Sequence, residues 1–160
     1  MKKLVTQTLN LWILFVLTAA LMAGFAYWSP SIGGTGLDSV GPVSDVQALL
    51  ASMTSEQKQS HFWMTLLLDM LFPLAYGGLF AGLALKHARR YGVLLAIPAI
   101  IVIPVDIVEN IIQLLALKGS TGLLTLKSLL TPTKFFLFYT AAVIALGSLI
   151  FGMLMKLLKK

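Results

Sequence analysis

Three carboxylic acids interrupt apolar runs in which charge is otherwise scarce: Asp69, Asp106 and Glu109. Asp106, Glu109, Asn110 and Gln113 are spaced i, i+3, i+4, i+7, which places them on one face of a helix. Thr65, Asp69, Pro73 and Tyr76 are spaced i, i+4, i+8, i+11, again one face. Two carboxylates one turn apart, with a third from a neighbouring helix, are hard oxygen ligands of the kind that suits Mg²⁺ or Ca²⁺. Asp69, Asp106 and Glu109 are therefore the candidate metal ligands. A shared proton is as natural, because close carboxylates cannot all ionise in a low dielectric. A lipophilic amine would neutralise the same group, and a protonated carboxyl could act as general acid on an apolar substrate. The residue types leave these alternatives open, and with them the cofactor and any catalytic residue. In each, Asn110, Gln113 and Tyr76 would orient the acids.

Two prolines add to this chemistry. A proline inside a helix frees the carbonyl four residues back. For Pro73 that carbonyl belongs to Asp69, and for Pro104 to Ile100; Pro98 weakens the same helix. A blander reading is that the acids are neutral and glue helices together through hydrogen bonds to Asn110, Gln113 and Tyr76. Familiar catalytic patterns such as GxSxG, HExxH or a Walker loop do not occur, and the chain contains no Cys.

The elements that must hold these residues follow from composition. Of 160 residues, 58% are hydrophobic and 11% charged, and mean hydropathy is +0.91. A soluble domain averages about 45–50% apolar and about 25% charged, so a soluble fold and a disordered chain are both excluded. Four apolar runs reach the length of about 20 residues that a bilayer demands, and in lipid each must be helical. The fold expected is all-α: a polytopic membrane protein, one four-helix transmembrane domain over residues 1–160, with spans at about 8–28, 61–86, 92–117 and 132–157. The first run is too long for a signal peptide core and reads as an uncleaved helix.

Depth supports a common site. Asp69 lies eight residues after His61, and Glu109 eight before Leu117, each about 12 Å from the same end at 1.5 Å per residue. An acid at a helix centre costs about 2.5–3.5 kcal/mol on insertion scales, and such residues usually face the bundle interior and mark a site. Thr18, Thr133 and Thr140 are placed to complete a polar pocket from helices one and four.

The outer loop from Ser29 to Ser60 opens with Gly-rich turn chemistry. Ser44 with Gln47, and Thr54 with Gln57, form candidate capping boxes. Val46, Leu49, Leu50 and Met53 make one apolar stripe, so a short amphipathic helix lies on the membrane surface or caps the bundle. Asp38, Asp45 and Glu56 read as ordinary loop solvation. Gly119 to Gly122 makes a turn, Thr121 to Thr131 an interfacial or re-entrant piece, and Thr131-Pro132 the start of helix four, with Thr131 as N-cap. Gly78 and Gly82 form a GxxxG packing motif.

Cations set orientation. Lys2, Lys3, Lys86, Arg89, Arg90, Lys156, Lys159 and Lys160 fall on the side of both termini; Lys58, Lys118, Lys127 and Lys134 fall on the other. The excess places both termini in the cytoplasm of a multi-pass plasma (inner) membrane protein. The partners implied are the lipid bilayer and a small cation or lipophilic ligand. Nucleic acid is excluded, because no basic patch is interleaved with base-stacking aromatics.

Asp69-x-x-x-Pro73-x-x-Tyr76, followed by Asp106-x-x-Glu109-Asn110, resembles a pattern of small uncharacterised four-helix bacterial membrane proteins. The resemblance covers helices two and three. It implies the four-helix fold and the weight of these positions, and supplies no activity. On the residues alone, the leading reading is a cation-, proton- or lipophilic-ligand-binding membrane protein with a transport-related, proton-coupled role. An intramembrane enzyme acting on a lipid, or a structural subunit without a ligand, are the alternatives.

Overall fold

The computed structural model describes residues 5–158, without the side chains of Arg89 and Lys156. Its helices are α1 (Thr8–Trp28), α2 (Val43–Ser52), α3 (Ser55–Met64), α4 (Phe72–His87), α5 (Gly92–Leu95), α6 (Ile97–Leu117) and α7 (Leu124–Leu157). No strand occurs among the described residues. Four helical stretches are long and apolar enough to cross a membrane: Thr8–Ile32, Ser55–His87, Gly92–Leu117 and Leu124–Met155. The first of these is the least buried. α4, α6 and α7 pack on one another, and α1 lies along α4.

The second span is not a uniform helix. α3 begins at the expected capping box: the Thr54 hydroxyl accepts from the Gln57 amide, and the Gln57 side chain accepts from the Thr54 amide. Thr65–Asp69 then widens to a π-helix, with the Met70 amide donating to the Thr65 carbonyl at 3.0 Å. Such bulges recur at functional sites. Pro73 follows in the first turn of α4, where a missing amide costs little.

Packing differs along the bundle. Near the 33–54 loop, Leu37, Val46 and Leu50 close over Ala116 and Leu124, so the amphipathic helix α2 caps the bundle rather than floating on the membrane. Toward His87 the core is Ala81, Ala84, Ala96, Ala99 and Ala141. Small residues let backbones approach closely. A Cβ on Gly77 would stand 2.5 Å from Ile103 Cγ1, and one on Gly82 would stand 2.7 Å from the Val5 carbonyl. The Gly78–Gly82 face thus packs within the chain, against Leu14 and Leu11 of α1.

Several expectations require correction. α7 runs unbroken from Leu124 to Leu157 with Pro132 inside it, so Thr131 is not an N-cap and residues 124–131 are not a separate piece. Side chains hold that turn in register: Lys127 and Thr131 are anchored to buried partners, and the Thr133 hydroxyl donates to the Leu129 carbonyl. Ser44 does not cap α2. Pro42, extended at ψ 140°, is the N-cap, and Ser44 inside the first turn bonds Asp45 instead. Pro98 lies in the first turn of α6 and weakens nothing there. In the cation count, Lys2, Lys3, Lys159 and Lys160 lie outside the described residues, while Lys127 and Lys134 are buried rather than facing outer water.

Candidate functional site: a buried carboxylate–lysine cluster

α6 turns its polar stripe inward. Asp106, Glu109, Asn110 and Gln113 are all buried, the last three completely. The reason is local: every neighbouring position on α6 is apolar, so the stripe finds partners only inside the bundle. α7 answers with a stripe of its own, Lys127, Thr131 and Lys134, spaced i, i+4, i+7 and buried.

The contacts are specific. Glu109 Oε1 accepts from the Thr131 hydroxyl at 2.5 Å and lies 3.2 Å from Lys127 Nζ. Glu109 Oε2 lies 2.7 Å from Lys134 Nζ. Asp106 Oδ2 accepts from the Tyr76 hydroxyl at 2.8 Å, and Asp106 Oδ1 is 3.4 Å from Lys134 Nζ. Both lysine-facing oxygens meet the ammonium as ion pairs, off the direction of a hydrogen bond. Lys134 also pairs with Asp38, a residue of the short 3₁₀ turn Leu37–Ser39.

That turn is held down from below. The Leu37 amide donates to His61 Nε2 at 2.9 Å, and His61 Nδ1 lies 3.2 Å from the Thr65 hydroxyl. An accepting Nε2 requires the tautomer with its proton on Nδ1, so fully buried His61 is a neutral clamp on the loop. Lys127 Nζ adds a second clamp by donating to the Val40 carbonyl at 2.7 Å.

Asp69 stands apart. Its carbonyl, freed by Pro73, accepts from Asn110 Nδ2 at 2.9 Å. Its carboxyl, on a residue only 4% exposed, has no hydrogen-bond or ion-pair partner among the described residues. It faces two cavities. One, of about 80 Å³, is lined with Asp38, Asp106, Lys134 and the rings of Phe72, Tyr76, Phe135 and Phe138. The other, of about 260 Å³, lies under the loop against Ser29, Gly36 and Ser39. Asp38, Asp69 and Phe72 line both. Gln113 Oε1 is likewise buried without a partner.

All six residues expected at the site, Asp69, Tyr76, Asp106, Glu109, Asn110 and Gln113, meet in this region. Thr18, Thr133 and Thr140 do not line its cavities; Thr18 and Thr133 bond carbonyls of their own helices. Asp38, Lys127, Thr131 and Lys134 belong to the cluster and were missed. The α7 stripe was visible as spacing, but reading Thr131-Pro132 as a helix start hid it. Asp38 had no signal, because it sits in an irregular turn. An oxygen from each of Asp38, Asp106 and Glu109 lies within 4.8 Å of the other two, close enough to hold a metal ion. The Lys134 ammonium, within 3.4 Å of an oxygen from each, already supplies a cation to that triad.

Buried Asp69, Asp106 and Glu109, together with Asp38, whose side chain is 35% exposed, face the two ammonium groups of Lys127 and Lys134. Burying an uncompensated charge is costly, and among the described residues Asp69 is the one of these carboxyls paired with neither lysine. No protein-family model, curated protein or solved structure matches the chain.

Proposed function

We propose that this multi-pass membrane protein binds an exchangeable monovalent cation, a proton or a small alkylammonium, within the bundle, with Asp69 as the group that receives it. The observation that carries the reading is the unpartnered, buried Asp69 carboxyl facing two cavities. Aromatic walls beside it suit an organic cation, because a cation over a ring face is attracted by the ring quadrupole. Asp106, Glu109 and Tyr76 set the field around the ligand, Asn110 fixes the backbone of Asp69, and Gln113 borders Asp38. Lys134 is the tethered cation with which an incoming one shares carboxylates.

Access through the larger cavity, beneath the polar turn at Gly36 and Ser39, favours entry from the water side. That supports a transport-related role over an enzyme drawing its substrate from lipid. In the same reading the chain is one transmembrane unit in the plasma membrane with both termini cytoplasmic, and the cluster opens outward. The unfolding midpoint of the detergent-solubilised protein tests it, measured in methylammonium chloride and in sodium chloride at equal ionic strength. The parent should be stabilised by methylammonium over sodium, and Asp69→Asn should not. An equal response from both proteins contradicts the reading.

A further inference from the structure

The geometry points to a second binding site at the opposite end of the bundle: a groove that holds one acyl chain of an anionic phospholipid, its headgroup on Lys86. α1 packs along α4 and leaves a gap to α7, and α4 floors that gap. The result is a groove of about 370 Å³. Leu11, Trp12 and Phe15 form one wall, Leu146 and Leu149 the other, and Leu79, Phe80 and Leu83 the floor. From Leu79 to His87 it runs about 12 Å at 1.5 Å per residue.

Polar groups gather at one end only. Lys86 and His87 line the groove there with Thr8, and Lys86 Nζ donates to the Thr8 hydroxyl at 2.8 Å across its mouth. Lys86 has no carboxylate partner among the described residues, since none of the ion pairs includes it. Nor can that end of the bundle readily supply one. No Asp or Glu occurs in residues 1–37, 70–105 or 110–160, whereas Lys86 and Arg90 follow one another at that end of the chain's second span. An apolar slot ending at Lys86, an ammonium with no carboxylate partner among the described residues, is complementary to a lipid with an apolar tail and a negative head. A zwitterionic lipid would fill the slot without answering the charge. This site lies away from Asp69 and does not rest on the cation-binding reading.

Native mass spectrometry of the full chain tests it, with phosphatidylglycerol and phosphatidylcholine of identical acyl chains. The parent should retain phosphatidylglycerol in preference. Lys86→Ala should weaken that retention about fivefold, the effect of one cation near an anionic surface. Leu146→Trp, at a wall position 57% exposed and therefore safe for folding, should reduce retention by filling the slot. Equal retention of the two lipids overturns the proposal, and so does parent-like binding by Leu146→Trp. A dimer peak that Leu146→Trp abolishes, in place of a lipid adduct, would assign the groove to a second copy and overturn it as well.

Discussion

At the end of the bundle under the 33–54 loop, α4, α6 and α7 meet through Tyr76, Asp106, Glu109, Thr131 and Lys134. Toward His87 the same three helices, joined by the α5–α6 corner, meet through Ala81, Ala84, Ala96, Ala99 and Ala141. Small residues gain dispersion contacts at no desolvation cost. A buried ion pair must first repay several kcal/mol per ion, so it is weak evidence of stability. The charged end is the more expensive way to join helices, and that contrast is what the proposed cation-binding role would account for.

Breaking the charged end should have the largest effect. Lys134→Ala strands Asp38, Asp106 and Glu109, and removal of one partner from a buried pair costs about 3–5 kcal/mol. Denaturant unfolding in mixed micelles measures it. Neutralising partners together sharpens the comparison: Lys134→Met with Glu109→Gln should cost well below the sum of the single changes, as a double-mutant cycle would report.

Next comes the close-packed end. Gly77→Ala forces a methyl into Ile103, and overpacking of this kind costs about 1–3 kcal/mol. Ile103→Ala should recover part of the loss, which the same unfolding experiment follows. A Gly77→Ala protein as stable as the parent would show that the helices there are less tightly apposed than the 2.5 Å approach requires.

The capping box is smaller again. Thr54→Ala removes the side-chain acceptor for the Gln57 amide, worth about 1 kcal/mol. Because α3 carries His61, which clamps Leu37, a second effect should appear. Amide exchange at Leu37 should speed up, and it should speed up more in His61→Phe, which retains bulk but accepts nothing.

Much of this was legible in the residues. The α6 stripe was clear because an i, i+3, i+4, i+7 polar set on an apolar helix has only one stable placement, facing inward. The freed Asp69 carbonyl was legible because proline chemistry is local. Four helices long and apolar enough to cross a membrane followed from length and hydropathy, although the helix of the fourth begins at Leu124 rather than near residue 132. What escaped depends on tertiary context. Pro132 is accommodated inside α7 because Lys127 and Thr131 are anchored across the bundle, and no local rule registers that. Lys127 and Lys134 resembled surface cations until the acids facing them were known. Asp38 reaches the cluster because His61, 24 residues from Leu37, fixes that amide and Lys127 holds the Val40 carbonyl.

Asp69→Asn should cost the least stability of these changes, since the carboxyl has no hydrogen-bond or ion-pair partner to lose among the described residues. It should have the largest effect on proton binding. The most direct measurement is pH-difference infrared spectroscopy of the reconstituted protein, following the carboxyl stretching bands. A cation-binding role predicts one buried carboxyl whose titration shifts when methylammonium replaces sodium, and whose band vanishes in Asp69→Asn. A parent with no titrating buried carboxyl, or a titrating band that persists unchanged in Asp69→Asn, would contradict it.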